Sequence, residues 1–236
     1  MANVQLTISL RGLRAILVTV LVALVIAGVV ADYAKYVLNS DSDLVAYFDL
    51  SEEQNFPTWW SSVLLLACAA LLWAIAAVKR NAAGDYVKHW AALAAIFCYI
   101  SVDEAVQIHE FLNLAPGLND LHGIWYYGWV VPGAILVAVF AASYFRFLLR
   151  LPKKTRNKFA VAGVVYVGGA LGIELILGSL TEHLEKVNFA WEMLDLVEES
   201  MEIIGSSLFL YALVEYLGTF ASDLRIRVNS RSSTTA

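Results

Sequence analysis

Six long apolar runs separated by short polar ones make up nearly the whole chain, over roughly 13 to 36, 58 to 79, 89 to 113, 125 to 149, 159 to 181 and 190 to 217. Each supplies the about 20 residues an α-helix needs to cross the hydrocarbon layer of a bilayer. The pattern predicts an all-α polytopic membrane protein, a bundle of six transmembrane helices within residues 1–221, followed by a short polar cytoplasmic tail over 222–236. Composition agrees: 60% of the 236 residues are hydrophobic, 16% are charged and the mean hydropathy is +0.67, which leaves almost nothing for a soluble domain. The first run passes through Val29-Val30-Ala31, an acceptable small-residue cleavage site, but it exceeds the apolar core of a secretion signal and reads as a retained helix. Cys68 and Cys98 fall mid-run, where small packing residues are expected rather than a disulfide.

Charge orients the bundle. Arg11 and Arg14 precede the first run; Lys79, Arg80 and Lys88 fill the second connection; Arg146, Arg150, Lys153, Lys154, Arg156 and Lys158 fill the fourth; Arg225, Arg227 and Arg231 follow the sixth. Basic residues stay on the cytoplasmic side, so both termini are expected inside. The opposite connections carry Asp41, Asp43, Asp49, Glu52, Glu53 and Asp120, with an aromatic belt of Trp59, Trp60, Trp125, Tyr126, Tyr127, Trp129 and Trp191. The acidic end is therefore expected to face away from the cytoplasm.

The sixth run breaks its own apolar character. At about 100° per residue, Glu192, Asp195, Glu198, Glu199 and Glu202 fall on one stripe of a single helix. A carboxylate in a spanning segment costs on the order of 3 kcal/mol, so the stripe requires positive partners or shared protons. The third run contributes Asp103, Glu104, His109 and Glu110 at the same depth, and the fifth contributes Glu174 on a face with Gly163, Ala170 and Gly178, expected to let helices approach closely. The third, fifth and sixth helices are therefore expected to enclose a polar cavity opening outward. Asp103, Gln107 and Glu110 share one helix face with Glu104 and His109 to either side, so they address one pocket only if it is wide or if the helix end distorts.

Many oxygen ligands with an imidazole suit a divalent metal ion: iron, manganese, zinc or calcium. The expected ligands are Asp103, His109, Glu110, Glu174, Asp195, Glu199 and Glu202, with Glu104 and Glu198 as candidate catalytic acid–base groups. The paired Glu-x-x-His motif of bundle di-metal sites is absent. Glu192, at the helix start, is expected to face headgroup water beside the positive end of the helix dipole. His122 and His183 lie in short connections and read as solvated; Lys35 and Lys186 can pair with two of the acids but cannot neutralise them all. Pro132-Gly133 is expected to kink the fourth helix, and the connection from about Asn39 to Thr58 to fold over the site as a lid or serve as a plain connector. No phosphate loop, nucleophile elbow or basic nucleic-acid patch occurs, so the partners in view are membrane lipids and a small-molecule or lipid substrate rather than nucleic acid.

Pro57-Thr58-Trp59-Trp60-Ser61, Asp103-Glu104 with His109-Glu110, Glu174 in a Gly-rich helix, and Glu198-Glu199 with Glu202 together resemble a group of uncharacterised bacterial six-helix integral membrane proteins. The resemblance spans most of the chain; it implies an inner-membrane location and no particular activity. The His-x3-His pairing of alkaline-ceramidase-like membrane hydrolases is absent, so none of their residues is carried over. Three functions stay open: a metal-dependent membrane hydrolase or oxidoreductase acting on a lipid-like or membrane-soluble substrate, a proton or divalent-cation transporter or channel using the same carboxylates, and a non-catalytic sensor or accessory subunit. Haem is disfavoured by the lack of two histidines at matched mid-membrane depth.

Overall fold

The computed structural model describes residues 9–40, 42–52, 54–184 and 186–220; Asp41, Glu53, Glu185 and the tail with Arg225, Arg227 and Arg231 lie outside them. Six helices are long and apolar enough to cross a membrane: α1 (Leu10–Tyr36), α2 (Phe56–Asn81), α3 (Val87–Val106), α4 (Val130–Arg150), α5 (Lys153–Thr181) and α6 (Phe189–Gly218). Side-chain caps start three of them. Ser9 Oγ accepts from Gly12 N–H at 3.3 Å, Asn55 Oδ1 from Thr58 N–H at 3.2 Å, and Asn188 Oδ1 from Ala190 N–H at 3.0 Å, meeting N–H groups that the first turn leaves unpaired.

α6 is the hub of the bundle. It packs on α1, α2 and α5, while α3 packs on α2. Gly205 of α6 meets α5 so closely that a Cβ there would stand 2.7 Å from both the backbone nitrogen and Cβ of Tyr166. Gly169 of α5 is its counterpart one crossing higher, where a Cβ would lie 2.9 Å from the Glu198 carbonyl oxygen. The half of the bundle holding the basic residues is filled by rings: Trp90 stacks on Tyr216 at 5.3 Å and Phe97 on Phe209 at 4.8 Å between centroids. At that end Lys154 and Lys158 hold Glu215 at 2.9 and 2.6 Å. α4 stands at the margin, with Ile135, Leu136, Val139, Phe145 and Leu149 exposed, as suits side chains facing lipid tails.

Four local expectations change. α3 stops at Val106 rather than near 113, because Gln107 takes a left-handed conformation (φ 58°) and a 3-10 turn, His109–Leu114, follows. α4 begins at Val130, which puts Pro132 in its first turn; there its missing N–H costs little and no kink arises. α5 is interrupted by a π-helical stretch, Gly168–Ile173, whose wider turns carry Glu174 and the residues beyond it round the helix relative to an unbroken α register. The fourth difference is in the small residues of α5: Gly163 has open space around it, Gly178 packs on Tyr126 and Tyr127, and the tight contact with α6 falls on Gly169.

Candidate functional site

The acidic residues gather where α1, α3 and α5 end and α2, α4 and α6 begin. A cavity of about 320 Å³ lies there, and its walls include all nine residues singled out from the sequence: Asp103, Glu104, His109, Glu110, Glu174, Asp195, Glu198, Glu199 and Glu202. α3 with its 3-10 extension, α5 and α6 supply them. Ser51 and Thr58, together with Tyr127 and Trp129 from the segment that enters α4, complete the wall, so part of the connection expected to act as a lid or connector reaches the site.

The distorted end of α3 sets His109. Its backbone N–H donates to Asp103 Oδ1 at 2.9 Å, its Nδ1 lies 3.0 Å from Asp103 Oδ2, and its Nε2 lies 3.4 Å from Glu110 Oε1. Burial alone would push the imidazole pKa down, but the bonds and charges of Asp103 and Glu110 outweigh it and hold His109 up at about 10. The bond from His109 in turn draws the Glu110 carboxyl below its ordinary value against the opposing effect of burial. Glu110 Oε2 accepts from Asn113 Nδ2 at 2.9 Å, Asn113 Oδ1 accepts the Trp129 backbone N–H at 2.9 Å, and Trp129 Nε1 donates to Glu174 Oε1 at 3.0 Å. This chain of bonds ties the ends of α3 and α4 to the middle of α5.

A pH prediction follows from it. The folded pKa of His109 lies above the ordinary 6.5, so the stability this imidazolium adds is complete below about pH 6.5 and is lost as the pH rises through about 10. Nitrogen-15 spectra of histidine-labelled protein at pH 8 are expected to show a doubly protonated ring whose signal disappears in His109→Gln. A neutral ring at pH 8 would contradict the arrangement.

Beside the cavity sits a second group that the sequence did not single out. Asp32 of α1, Asp49 of the first connection and Glu192 of α6 are buried, at 0%, 0% and 3% relative exposure, and each offers an oxygen within 4.8 Å of the others. Among the described residues, these three carboxylates come close enough together to hold one metal ion. Lys35, one turn beyond Asp32, reaches Asp49 Oδ2 at 3.0 Å, Glu52 Oε1 at 2.8 Å and Glu192 Oε1 at 3.8 Å. The Tyr36 hydroxyl donates to Glu192 Oε1, and Ser51 N–H donates to Asp49 Oδ1 at 3.0 Å. Both oxygens of Asp32 and Oε2 of Glu192 are buried without a hydrogen-bond partner.

Glu192 is thus a buried member of a triad, not a residue facing headgroup water. Local packing builds the site. Asn55, the cap of α2, donates through Nδ2 to the carbonyl oxygens of Asp49 and Glu52, at 2.5 and 2.7 Å. Leu50 is buried against Gly28 of α1, where a Cβ would stand 2.5 Å from Leu50 Cδ1. The triad adjoins the cavity, since Ser51 follows Asp49 by two residues, Asp195 follows Glu192 by three, and both line the cavity wall.

A family model described as "Domain of unknown function (DUF8692)" matches residues 14–216, a span that reaches from α1 into α6 and includes every residue of the triad and the cavity. The chain belongs to this family. No match was found among curated proteins or among solved structures. The DUF8692 description carries no activity, so the chemistry of the site has to be argued from its own residues.

Two sequence signals pointed toward the triad. Asp32 and Lys35 are three residues apart near the end of α1 and so share a helix face, and Glu192 continues the α6 stripe by one step. Asp49 had no such signal, because nothing in a connecting segment tells which of its acids turns inward. His122 remains 79% exposed and pairs with Glu182 at 2.9 Å, in keeping with its surface reading. Of the two cysteines, Cys68 is buried and Cys98 exposed, both as free thiols.

Proposed function

We propose that this protein is a membrane-embedded, divalent-cation-dependent enzyme whose ion is held by Asp32, Asp49 and Glu192 and whose cavity admits a membrane-soluble substrate. The observation that carries this reading is the burial of three carboxylates around one point, with both Asp32 oxygens unpartnered. Lys35 is shared with Glu52, so the three buried carboxylates carry an excess of negative charge that a divalent ion offsets. Buried like charges of this kind are otherwise costly. An all-oxygen set favours a hard cation, calcium, magnesium or manganese, over zinc.

In this reading His109 is a counter-charge for the cavity acids. When bound, the ion supplies a Lewis acid and a water of lowered pKa. Glu198 lines the cavity with Oε2 free of hydrogen bonds, which suits it to accept a proton, and Glu104 is the second candidate on the facing wall. Positive-inside sorting of the basic residues supports placing this site toward the outside of an inner membrane. Conduction is the weaker reading, because beyond the buried Ser206 and Ser207 the inward face of α6 turns apolar with Phe209, Leu210, Ala212 and Leu213.

Elemental analysis of detergent-purified protein tests the assignment. About one divalent ion per chain is expected in the wild type, retained in Glu199→Ala combined with Glu202→Ala, and lost in Asp32→Asn combined with Asp49→Asn. The reverse pattern would move the ion into the cavity, and no metal in any protein would leave shared protons as the compensation.

A further inference from the structure

The cavity itself has features that a metal ion does not call for. Its volume of about 320 Å³ is at the small end of the range for pockets that take organic ligands and equals the share of about ten waters. Its walls mix eight carboxylates with the rings of Tyr127, Trp129, Tyr166 and Trp191. The polar groups of three of these rings are already engaged: Trp129 Nε1 with Glu174 at 3.0 Å, Trp191 Nε1 with Thr181 at 2.9 Å and the Tyr127 hydroxyl with Thr181 at 3.2 Å. What they present to a ligand is ring surface. Glu198 is 6% exposed, lines the cavity and keeps Oε2 without a hydrogen-bond partner. The neighbouring cations have other duties, His109 with Asp103 and Glu110, and Lys35 with the triad.

Carboxylates for charge and aromatic faces for alkyl and cationic groups are the elements that recognise an organic ammonium ion. Asp195, Glu198 and Glu202 succeed one another along α6 over about 10 Å at 1.5 Å per residue, so more than one ammonium can be met in line. A neutral acyl chain would leave the buried Glu198 Oε2 without a partner, and an anion would be repelled.

We propose that this cavity binds a linear alkyl di- or polyamine, with Glu198 and its α6 neighbours taking the ammonium groups and the surrounding rings taking the methylenes. The inference rests on the preceding reading only in treating the cavity as the place where a second molecule enters; it does not require the metal. The same ammonium chemistry is offered by a free amine and by the head of an amino-lipid, although the phosphate of the latter suits these walls poorly.

Isothermal titration of the full-length protein in detergent separates the cases. Spermidine and 1,4-diaminobutane are expected to bind, 1,4-butanediol of the same length is not, and Glu198→Gln should weaken the diamines at least tenfold. Glu174→Gln serves as the second variant should Glu198→Gln not be recovered folded. Binding is expected to persist in Asp32→Asn with Asp49→Asn, so a failed metal assignment and a failed amine assignment give different results. Heat with a short-chain phosphatidylethanolamine but not with the free amines would overturn the di- or polyamine assignment and make an amino-lipid head the ligand. Absence of binding by every amine, equal binding of the diol, or an unchanged affinity in Glu198→Gln would overturn the proposal.

Discussion

Asp32→Asn combined with Asp49→Asn is expected to uncouple the thermal stability of this protein from divalent cations. In the wild type, an ion that binds the folded state and not the unfolded one stabilises it by about 2.7 kcal/mol at a hundred times its dissociation constant. The unfolding midpoint should therefore climb steadily as calcium or manganese is added after chelation. In the variant that slope should vanish. With the metal chelated, the double variant loses both the repulsion between two buried acids and the Lys35–Asp49 ion pair, two effects of opposite sign, so the response to metal and not the baseline is the readout. A variant that kept the metal-dependent rise would show that the ion sits elsewhere.

Gly205→Leu is expected to prevent the bundle from forming, and Gly205→Ala to weaken it by about 1–3 kcal/mol, the usual cost of overpacking. The reason is that the nearest atoms to an added Cβ are Tyr166 Cβ at 2.7 Å and backbone nitrogen and Cα of the same residue at 2.7 and 2.8 Å. Backbone cannot turn aside as the end of a long side chain can, so α5 and α6 must separate. Gly163→Ala is the control. Its Cβ would meet nothing within 4 Å, and replacing a helix-interior glycine by alanine gains up to about 1 kcal/mol. Size-exclusion profiles and thermal unfolding in detergent distinguish the three substitutions; equal stability of Gly205→Ala and Gly163→Ala would contradict the packing described for the α5–α6 crossing.

That pair of glycines also shows how far the sequence could be read. Span length and hydropathy are properties of local composition, so all six helices were legible, as was the convergence of the acids of α3, α5 and α6 on one cavity, since depth along a helix follows from residue count. Rotation about a helix axis is less secure. A π-helical stretch such as Gly168–Ile173 leaves no hydropathy signature, and the glycine spacing did not tell that the tight contact falls on Gly169 and not on Gly163. The turn at Gln107 was likewise hidden, for a left-handed conformation is normally announced by glycine or asparagine, not by glutamine.

The triad was the hardest part to see. Asp32 and Glu192 are separated by 160 positions in the chain, and near the end of a hydrophobic run an acid reads by default as a headgroup contact. The packing of Leu50 beneath Gly28 and the bond from Asn55 to the Asp49 carbonyl hold Asp49 inward to meet them. The acids that looked most conspicuous in the sequence line the cavity; the three whose oxygens meet at one point come from three separate segments.

Crystals soaked in manganese and measured at its absorption edge test the central claim most directly. One anomalous peak is expected, bounded by oxygens of Asp32, Asp49 and Glu192 at about 2.0–2.6 Å, the range of hard-cation–oxygen bonds. A peak among Asp103, His109, Glu110 and Glu174 instead, or none at full soaking, would contradict it.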